Sequence, residues 1–298
     1  MPNYAFAIIS ALAWAISAQF INFGLRHIPV QAKVPAVLTG VLISLSVGTL
    51  VLGLIVGPSI TQAHACWELV VAGILTFPVG TALYYLCGHA FGGRMEFASQ
   101  FANIKPLLTI LAAITFLGER LTEAALVSLL FLLAGIATLI WGTVRGVFSW
   151  TALILGFFLA GSWASGEVFI KLGMGNVSSL PATIVALASG TVVGLIVISP
   201  YVLWRNRELR NAKVWGWAFV GHGILSFVVA YPAFFESIRR IGLAQTILIN
   251  SFWPALAVGL AWIIARMQRR SEPFPTLMVA ALIFLLAGSI IQISVIAE

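Results

Sequence analysis

The sequence is poor in charge and contains no aspartate. Only 8% of its 298 residues are charged, and all nine acidic residues are glutamates. A soluble domain of this length would carry about a quarter charged residues. Hydrophobic residues make up 61% of the chain. Because so little charged surface cannot keep a globule of this size dissolved, the composition indicates an integral membrane protein.

Cysteine and histidine are also scarce. Cys66 and Cys87 are too few for a disulfide framework, and no His and Cys pair has the spacing of metal ligands. The glycines are scattered through apolar runs instead of forming a phosphate-binding loop between a strand and a helix. An intramembrane enzyme would need a nucleophile and a base, paired acids or a histidine-rich motif, and none is visible. We therefore expect no cofactor, no metal and no catalytic residue, and a protein that is not an enzyme.

The net charge of +7 is spread along the chain as single basic residues or short groups between apolar runs. Such residues flank membrane spans, and this spacing is not that of a nucleic-acid surface. We expect a multi-pass protein of a bacterial cytoplasmic (inner) membrane, functional as a monomer, whose partners are the lipid bilayer and a small-molecule substrate. Loop Lys and Arg counts weakly favour both termini outside the cytoplasm.

Ten apolar runs are long enough to cross a bilayer as helices, each of which needs about twenty residues. The predicted fold is therefore an all-α integral membrane protein with ten transmembrane helices and short loops. The first run lacks the basic leader of a signal peptide, so we expect it to be retained. The predicted spans are residues 3–23, 34–57, 67–89, 96–117, 122–142, 150–171, 179–203, 214–235, 243–264 and 275–296.

The two halves of the chain repeat each other. Trp14 in the first run matches Trp163 in the sixth at an offset of 149, and "GILTF" at 73–77 returns as "GILSF" at 223–227 at an offset of 150. Matches of this kind continue along the whole chain. They indicate two copies of one five-helix unit.

The predicted units are residues 1–148 and 149–298. Because five is an odd number of spans, the second unit would enter the membrane inverted relative to the first. Inverted repeats are typical of transporters, in which two similar halves rock around a site near the bilayer midplane. Pro106 and Pro254 occupy matching positions, and we predict both as hinges because proline removes a helix hydrogen bond.

The segment "NIKPLLTILAAITFLGERLTEAALVSLLFLLAGIATLI", residues 103–140, resembles the end of an EamA repeat of the drug/metabolite transporter superfamily. In that pattern a helix with a mid-span proline leads through Leu-Gly-Glu-Arg into a last helix ending in Ala-Gly. The second half repeats it with "RRSE" in place of Leu-Gly-Glu-Arg. The region of spans 3 and 4 is most similar to the YddG-like aromatic amino-acid exporters. The resemblance implies a ten-helix transporter with a cavity between spans 1, 3, 4, 6, 8 and 9.

Two charged residues lie deep inside predicted spans. Lys105 is about ten residues into its span, where a lysine costs about 2.5–3.5 kcal/mol on insertion scales. The YddG-like exporters that the chain resembles carry an aromatic residue at the position of Lys105. Glu167 stands one helical turn after Trp163, on the same face. We predict that Lys105 binds a carboxylate and that Glu167 binds an ammonium group or a coupling proton, which would suit an amino acid. The alternative is that the two side chains pair only with each other and fix helix packing.

The other predicted substrate-binding side chains are aromatic or polar residues of the same spans. Trp14, Trp163 and Trp253 are predicted as apolar walls, and the remaining candidates are Tyr84, Asn103, His222 and Phe227. The predicted function is a secondary-active or facilitative transporter that exports amino acids or similar small amphipathic metabolites by alternating access. The alternative is a multidrug or quaternary-amine efflux carrier.

Overall fold

The computed structural model describes residues 2–28, 33–57, 66–90, 104–144, 150–175, 177–205, 216–268 and 276–297. Its helices are α1 (Ala5–Arg26), α2 (Lys33–Val56), α3 (Trp67–Ala90), α4 (Lys105–Leu117), α5 (Glu123–Val144), α6 (Trp150–Met174), α7 (Ser179–Trp204), α8 (Gly216–Ile241), α9 (Leu243–Asn250), α10 (Trp253–Met267) and α11 (Thr276–Ala297).

The predicted all-helical membrane fold is confirmed. Within the described residues, eight spans are long and apolar enough to cross a membrane, and two shorter apolar helices lie in α4 and α5. Large apolar side chains remain on the outside, such as Leu54 at 75% and Phe116 at 80% exposure. In water such a surface would aggregate, whereas in a bilayer it contacts lipid.

The two halves pack against each other reciprocally. In the first half, α1 contacts α8 and α10, and in the second half α6 contacts α3 and α4. The remaining helices pair by position, α2 with α7 and α5 with α11. The first span of each half therefore lies against the third and fourth spans of the other half. The unit boundary at 148/149 and the inversion of the second unit stay predictions.

The helices α3 and α7 cross with their backbones in contact. A Cβ atom on Gly73 would lie 2.0 Å from the carbonyl oxygen of Ala186, and one on Gly190 would lie 2.5 Å from the carbonyl oxygen of Gly73. Neither position has room for a side chain. Small residues at such crossings let helices approach closely where no hydrophobic effect drives their association.

The helices α3 and α8 each contain a segment of π-helix, Leu75–Gly80 and Gly223–Ala230. These segments fall at equivalent positions of the repeat, since they contain the ends of "GILTF" and "GILSF". Pro78 lies inside the first segment and has no N–H to donate, which interrupts the regular ladder there. Segments of this type are frequent at functional sites.

Backbone carbonyls at the first π segment accept hydrogen bonds from α6. The Ser162 hydroxyl donates to the Leu75 carbonyl at 2.7 Å, and the Trp163 indole N–H donates to the Thr76 carbonyl at 3.1 Å. Before the second segment, the Ser44 hydroxyl of α2 donates to the Phe219 carbonyl at 2.9 Å. Side chains of neighbouring helices thus satisfy backbone groups that lipid could not.

The ninth predicted span is broken into two helices. The helix α9 ends at Asn250, and α10 begins at Trp253 with Pro254 in its first turn. Proline fits the first turn because the N–H that it lacks has no intrahelical acceptor there. Pro254 thus begins a helix after a short break, and its role as a hinge stays a prediction.

The described part of the fourth span begins at Lys105, with Pro106 in the first helical turn. Proline again occupies the first turn, where the N–H that it lacks has no intrahelical acceptor. Residues 96–103 of the predicted span 96–117 lie outside the described residues. The depth of Lys105 in that span and the role of Pro106 as a hinge therefore stay predictions.

The turn between α4 and α5 is tied to the start of α9. Both carboxylate oxygens of Glu119 accept backbone hydrogen bonds, from the Leu243 N–H at 3.0 Å and the Ala244 N–H at 2.9 Å. A carboxylate at a helix N-terminus satisfies free N–H groups and is favoured by the helix dipole. Gly242, at φ +86°, allows the chain to enter α9 at this angle.

Candidate functional site

An ion pair joins α4 to α6 in the interior. The Lys105 Nζ atom lies 2.6 Å from Glu167 Oε1, and the two side chains are only 6% and 4% exposed. The Thr109 hydroxyl donates to Glu167 Oε2 at 2.7 Å. Since Thr109 stands one turn after Lys105, both donors lie on one face of α4. Both carboxylate oxygens of Glu167 are therefore hydrogen-bonded.

Aromatic rings surround the ammonium group of Lys105. Its Nζ atom is 5.6 Å from the ring centroid of Trp14 and 5.8 Å from those of Trp163 and Phe234. These distances are within the range of cation–π attraction. Trp14 and Trp163 are repeat counterparts, so each half of the chain contributes one of the indoles.

The ion pair and the rings border one cavity with about 500 Å³ of empty space between its atoms. It is lined by Trp14, Ser17, Thr76, Thr81, Tyr84, Lys105, Trp163, Glu167, His222, Ser226, Phe227, Tyr231 and Trp253.

Eight of the nine predicted substrate-binding residues line this cavity together. They come from α1, α3, α4, α6, α8 and α10 and are Lys105, Glu167, Trp14, Trp163, Trp253, Tyr84, His222 and Phe227. The ninth, Asn103, lies outside the described residues. Whether any of them binds a solute, or Glu167 a proton, stays a prediction.

Contacts between the aromatic rings, one edge-to-face and two tilted, hold the wall in place. Trp14 contacts Tyr231 at 5.1 Å between ring centroids, and Tyr84 contacts Trp163 at 5.2 Å. Trp253 closes the set, at 6.1 Å from Trp14. Such pairs contribute about 0.5–1.5 kcal/mol each beyond the area that they bury. The wall is therefore fixed largely by its own members.

Five lining residues were not predicted, and the repeat contained a signal for four of them. Thr76 and Ser226 are the fourth residues of "GILTF" and "GILSF", and Thr81 and Tyr231 follow at the same offset of 150. Comparing the polarity of matched positions would have found them. Ser17 has no such signal, since its counterpart at an offset of 149 is a glycine.

Asn250 is the last residue of α9. Its side-chain amide donates to the Ala7 carbonyl at 3.2 Å and to the Ser10 hydroxyl at 2.7 Å. It therefore anchors the end of α9 to α1. Asn250 is not among the residues that line the cavity.

Within the described ranges, no cluster of three or more His, Cys, Asp or Glu side chains could hold a metal ion. Cys66 and Cys87 are not joined in a disulfide. The cavity thus offers one cation, one carboxylate, hydroxyls, an imidazole and aromatic faces. These groups can bind a small solute that carries charge of both signs.

Comparison with known proteins agrees with this architecture. Residues 150–294 match the EamA-like transporter family, so the second half of the chain carries an EamA-like domain. No curated protein matches the chain significantly. One solved structure, described only as a crystal structure of a protein, superposes with a TM-score of 0.67 at 17% identity and covers 99% of this chain and 97% of its own. At that identity the likeness shows the fold alone.

Proposed function

We propose, from the premise that residues 150–294 carry an EamA-like transporter domain in a multi-pass membrane protein, that the chain transports amino acids or similar zwitterions. The observation that supports the proposal is the buried Lys105–Glu167 pair in an aromatic cavity. A zwitterion can open this pair by placing its carboxylate on Lys105 and its ammonium group on Glu167. Each charge is then paired both before and after the zwitterion binds, which matters because an unpaired buried charge is costly.

The proposed direction is export from a bacterial cytoplasm across the inner membrane, by alternating access. The reciprocal packing of the halves supports this mechanism, because α1 and α6 each lie against the opposite half and line the cavity. Rocking of the halves around that cavity would expose it to each side in turn. Glu167 is the candidate for proton coupling.

A quaternary-amine or multidrug carrier is the second candidate. The rings of Trp14, Trp163 and Phe234 favour it, because they already surround a cation in the form of the Lys105 ammonium group. Against it stands Lys105 itself, which repels a second cation unless Glu167 neutralises both charges. An organic cation alone cannot pair with Lys105.

Ligand charge distinguishes the two candidates. We would measure thermal stabilisation of the purified protein by L-threonine, L-valine and L-phenylalanine. Each is compared with the matched amine that lacks the carboxylate and the matched acid that lacks the ammonium group. A ligand that binds the folded state raises its stability, by about 2.7 kcal/mol at a hundredfold excess over Kd.

We expect at least one amino acid to stabilise the protein more than both of its singly charged analogues, and Lys105→Met to abolish the effect. Equal stabilisation by the matched amine would favour the organic-cation carrier. Uptake into proteoliposomes then tests transport of the stabilising ligand. A protein that none of the amino acids stabilises, and that takes up none of them, would overturn the proposed function.

A further inference from the structure

A second set of polar side chains lines the cavity, and none of them bonds to the ion pair. Its members, which we call the polar subsite, are Ser17, Thr76, His222 and Ser226. Their exposed fractions are 1%, 2%, 4% and 3%. All four side chains are therefore buried.

Two atoms of the polar subsite have no hydrogen-bond partner. They are His222 Nδ1 and Thr76 Oγ1. A buried polar atom without a partner costs about 1–3 kcal/mol. Native proteins keep few such atoms, and each calls for an explanation such as a bound ligand. Glu167, by contrast, is fully satisfied by its own neighbours.

The imidazole of His222 is held in a fixed orientation. Its ring lies edge-on to Tyr85 at 5.6 Å and to Phe227 at 5.4 Å between centroids. In this arrangement the Nδ1 atom of the ring has no hydrogen-bond partner.

The two halves of the chain contribute equivalent hydroxyls to the polar subsite. Thr76 and Ser226 occupy the same place in "GILTF" and "GILSF", and each lies within a π segment. The subsite therefore spans both halves, as the ion pair does. A group bound there contacts both halves at once.

We infer that the polar subsite hydrogen-bonds the side chain of the transported zwitterion, so that the carrier selects amino acids with an uncharged polar side chain. This inference rests on the proposed function and adds the identity of the side chain. An apolar side chain would leave the unpartnered atoms unpaired. A charged side chain would find no opposite charge, because Lys105 and Glu167 are occupied by the carboxylate and the ammonium group.

The test compares L-threonine with L-valine, which have nearly the same shape and differ by a hydroxyl in place of a methyl group. Initial rates of uptake into proteoliposomes are measured below saturation. Sites built to hydrogen-bond a substrate group reject the analogue that lacks it, by large factors. We expect the wild-type protein to prefer threonine by at least about tenfold.

Two variants locate the preference. His222→Phe keeps an aromatic ring for Tyr85 and Phe227 but removes both nitrogens, and Thr76→Val removes only a hydroxyl. We expect each to bring the threonine to valine ratio towards one, because each lowers threonine uptake more than valine uptake. The matched control is Ser128→Ala, which removes another buried, unpartnered hydroxyl outside the cavity and should leave the ratio unchanged.

An unchanged ratio in both variants, or equal uptake of the two amino acids by the wild type, would overturn the inference and leave the proposed function standing. The polar atoms would then serve only to hold water. Should His222→Phe lose all uptake, the near-isosteric Thr76→Val decides the matter. Failure of the wild type to bind or carry any amino acid would remove the proposed function, and this inference with it.

Discussion

The Lys105–Glu167 pair can be dissected by removing its charges singly and together. The Nζ to Oε1 distance is 2.6 Å, and the side chains are 6% and 4% exposed, so both charges are buried. Lys105→Met or Glu167→Gln alone leaves an uncompensated buried charge, at a cost of about 3–5 kcal/mol. The double variant leaves none, and the Thr109 hydroxyl can still bond the new amide.

We therefore expect each single variant to lose about 3–5 kcal/mol of unfolding free energy and the double variant to lose less than about 1 kcal/mol. The measurement is equilibrium unfolding by SDS in mixed micelles. A matched control is Arg239→Met, because Arg239 pairs with Glu236 at 2.6 Å but is 45% exposed. Because that pair is partly exposed, Arg239→Met should lower the unfolding free energy by at most about 1 kcal/mol.

Transport distinguishes a binding role from a packing role, because the double variant keeps the fold but has no charges for a zwitterion. We expect all three variants to lose uptake of amino acids. A double variant that regains both stability and transport would refute the reasoning, since the pair would then serve only to hold α4 against α6. Single variants as stable as the wild type would refute the energetic argument itself.

Two further predictions concern the scaffold. Glu119→Gln replaces one of the two oxygens that accept N–H groups of α9, and we expect it to lower the unfolding free energy by about 0.5–2 kcal/mol in the same SDS titration. The control Glu123→Gln, at an exposed position, should change the unfolding free energy little. Gly73→Ala places a Cβ atom 2.0 Å from the Ala186 carbonyl oxygen and should lower the unfolding free energy by at least about 1–3 kcal/mol. Gly161→Ala, which has open space around it, should be neutral, and an equal effect of the two alanines would contradict the close crossing of α3 and α7.

The span pattern was visible in the sequence because apolar runs of about twenty residues have few alternatives to a membrane helix. Its errors have local causes. The eighth span was predicted to end at residue 235, but α8 continues to Ile241. Glu236 remains in the helix because Arg239 and Arg240, one turn further on, pair with it. The break after Asn250 was missed because no glycine marks it.

The site was predictable where a residue type is conspicuous in an apolar run. Lys105 and Glu167 stand out as charges, and Trp14 and Trp163 stand out through the repeat. Thr109 was missed because threonine is common in membrane helices and its importance arises only from Glu167 on another helix. The hydroxyls of Thr76 and Ser226 lie in π segments, for which the local sequence signals are prolines: Pro78 inside the first segment and Pro232 just after the second.

The π segments also have a geometric consequence. A turn closed by i to i+5 hydrogen bonds contains one residue more than an α turn, and in an α-helix one residue corresponds to a rotation of about 100°. The part of α3 that follows Gly80 is therefore out of phase with the part that precedes Leu75. Removing a single residue from the segment would restore the phase and swing Tyr84 away from Trp163. The place of Tyr84 in the aromatic wall therefore depends on the one additional residue in the π segment of α3.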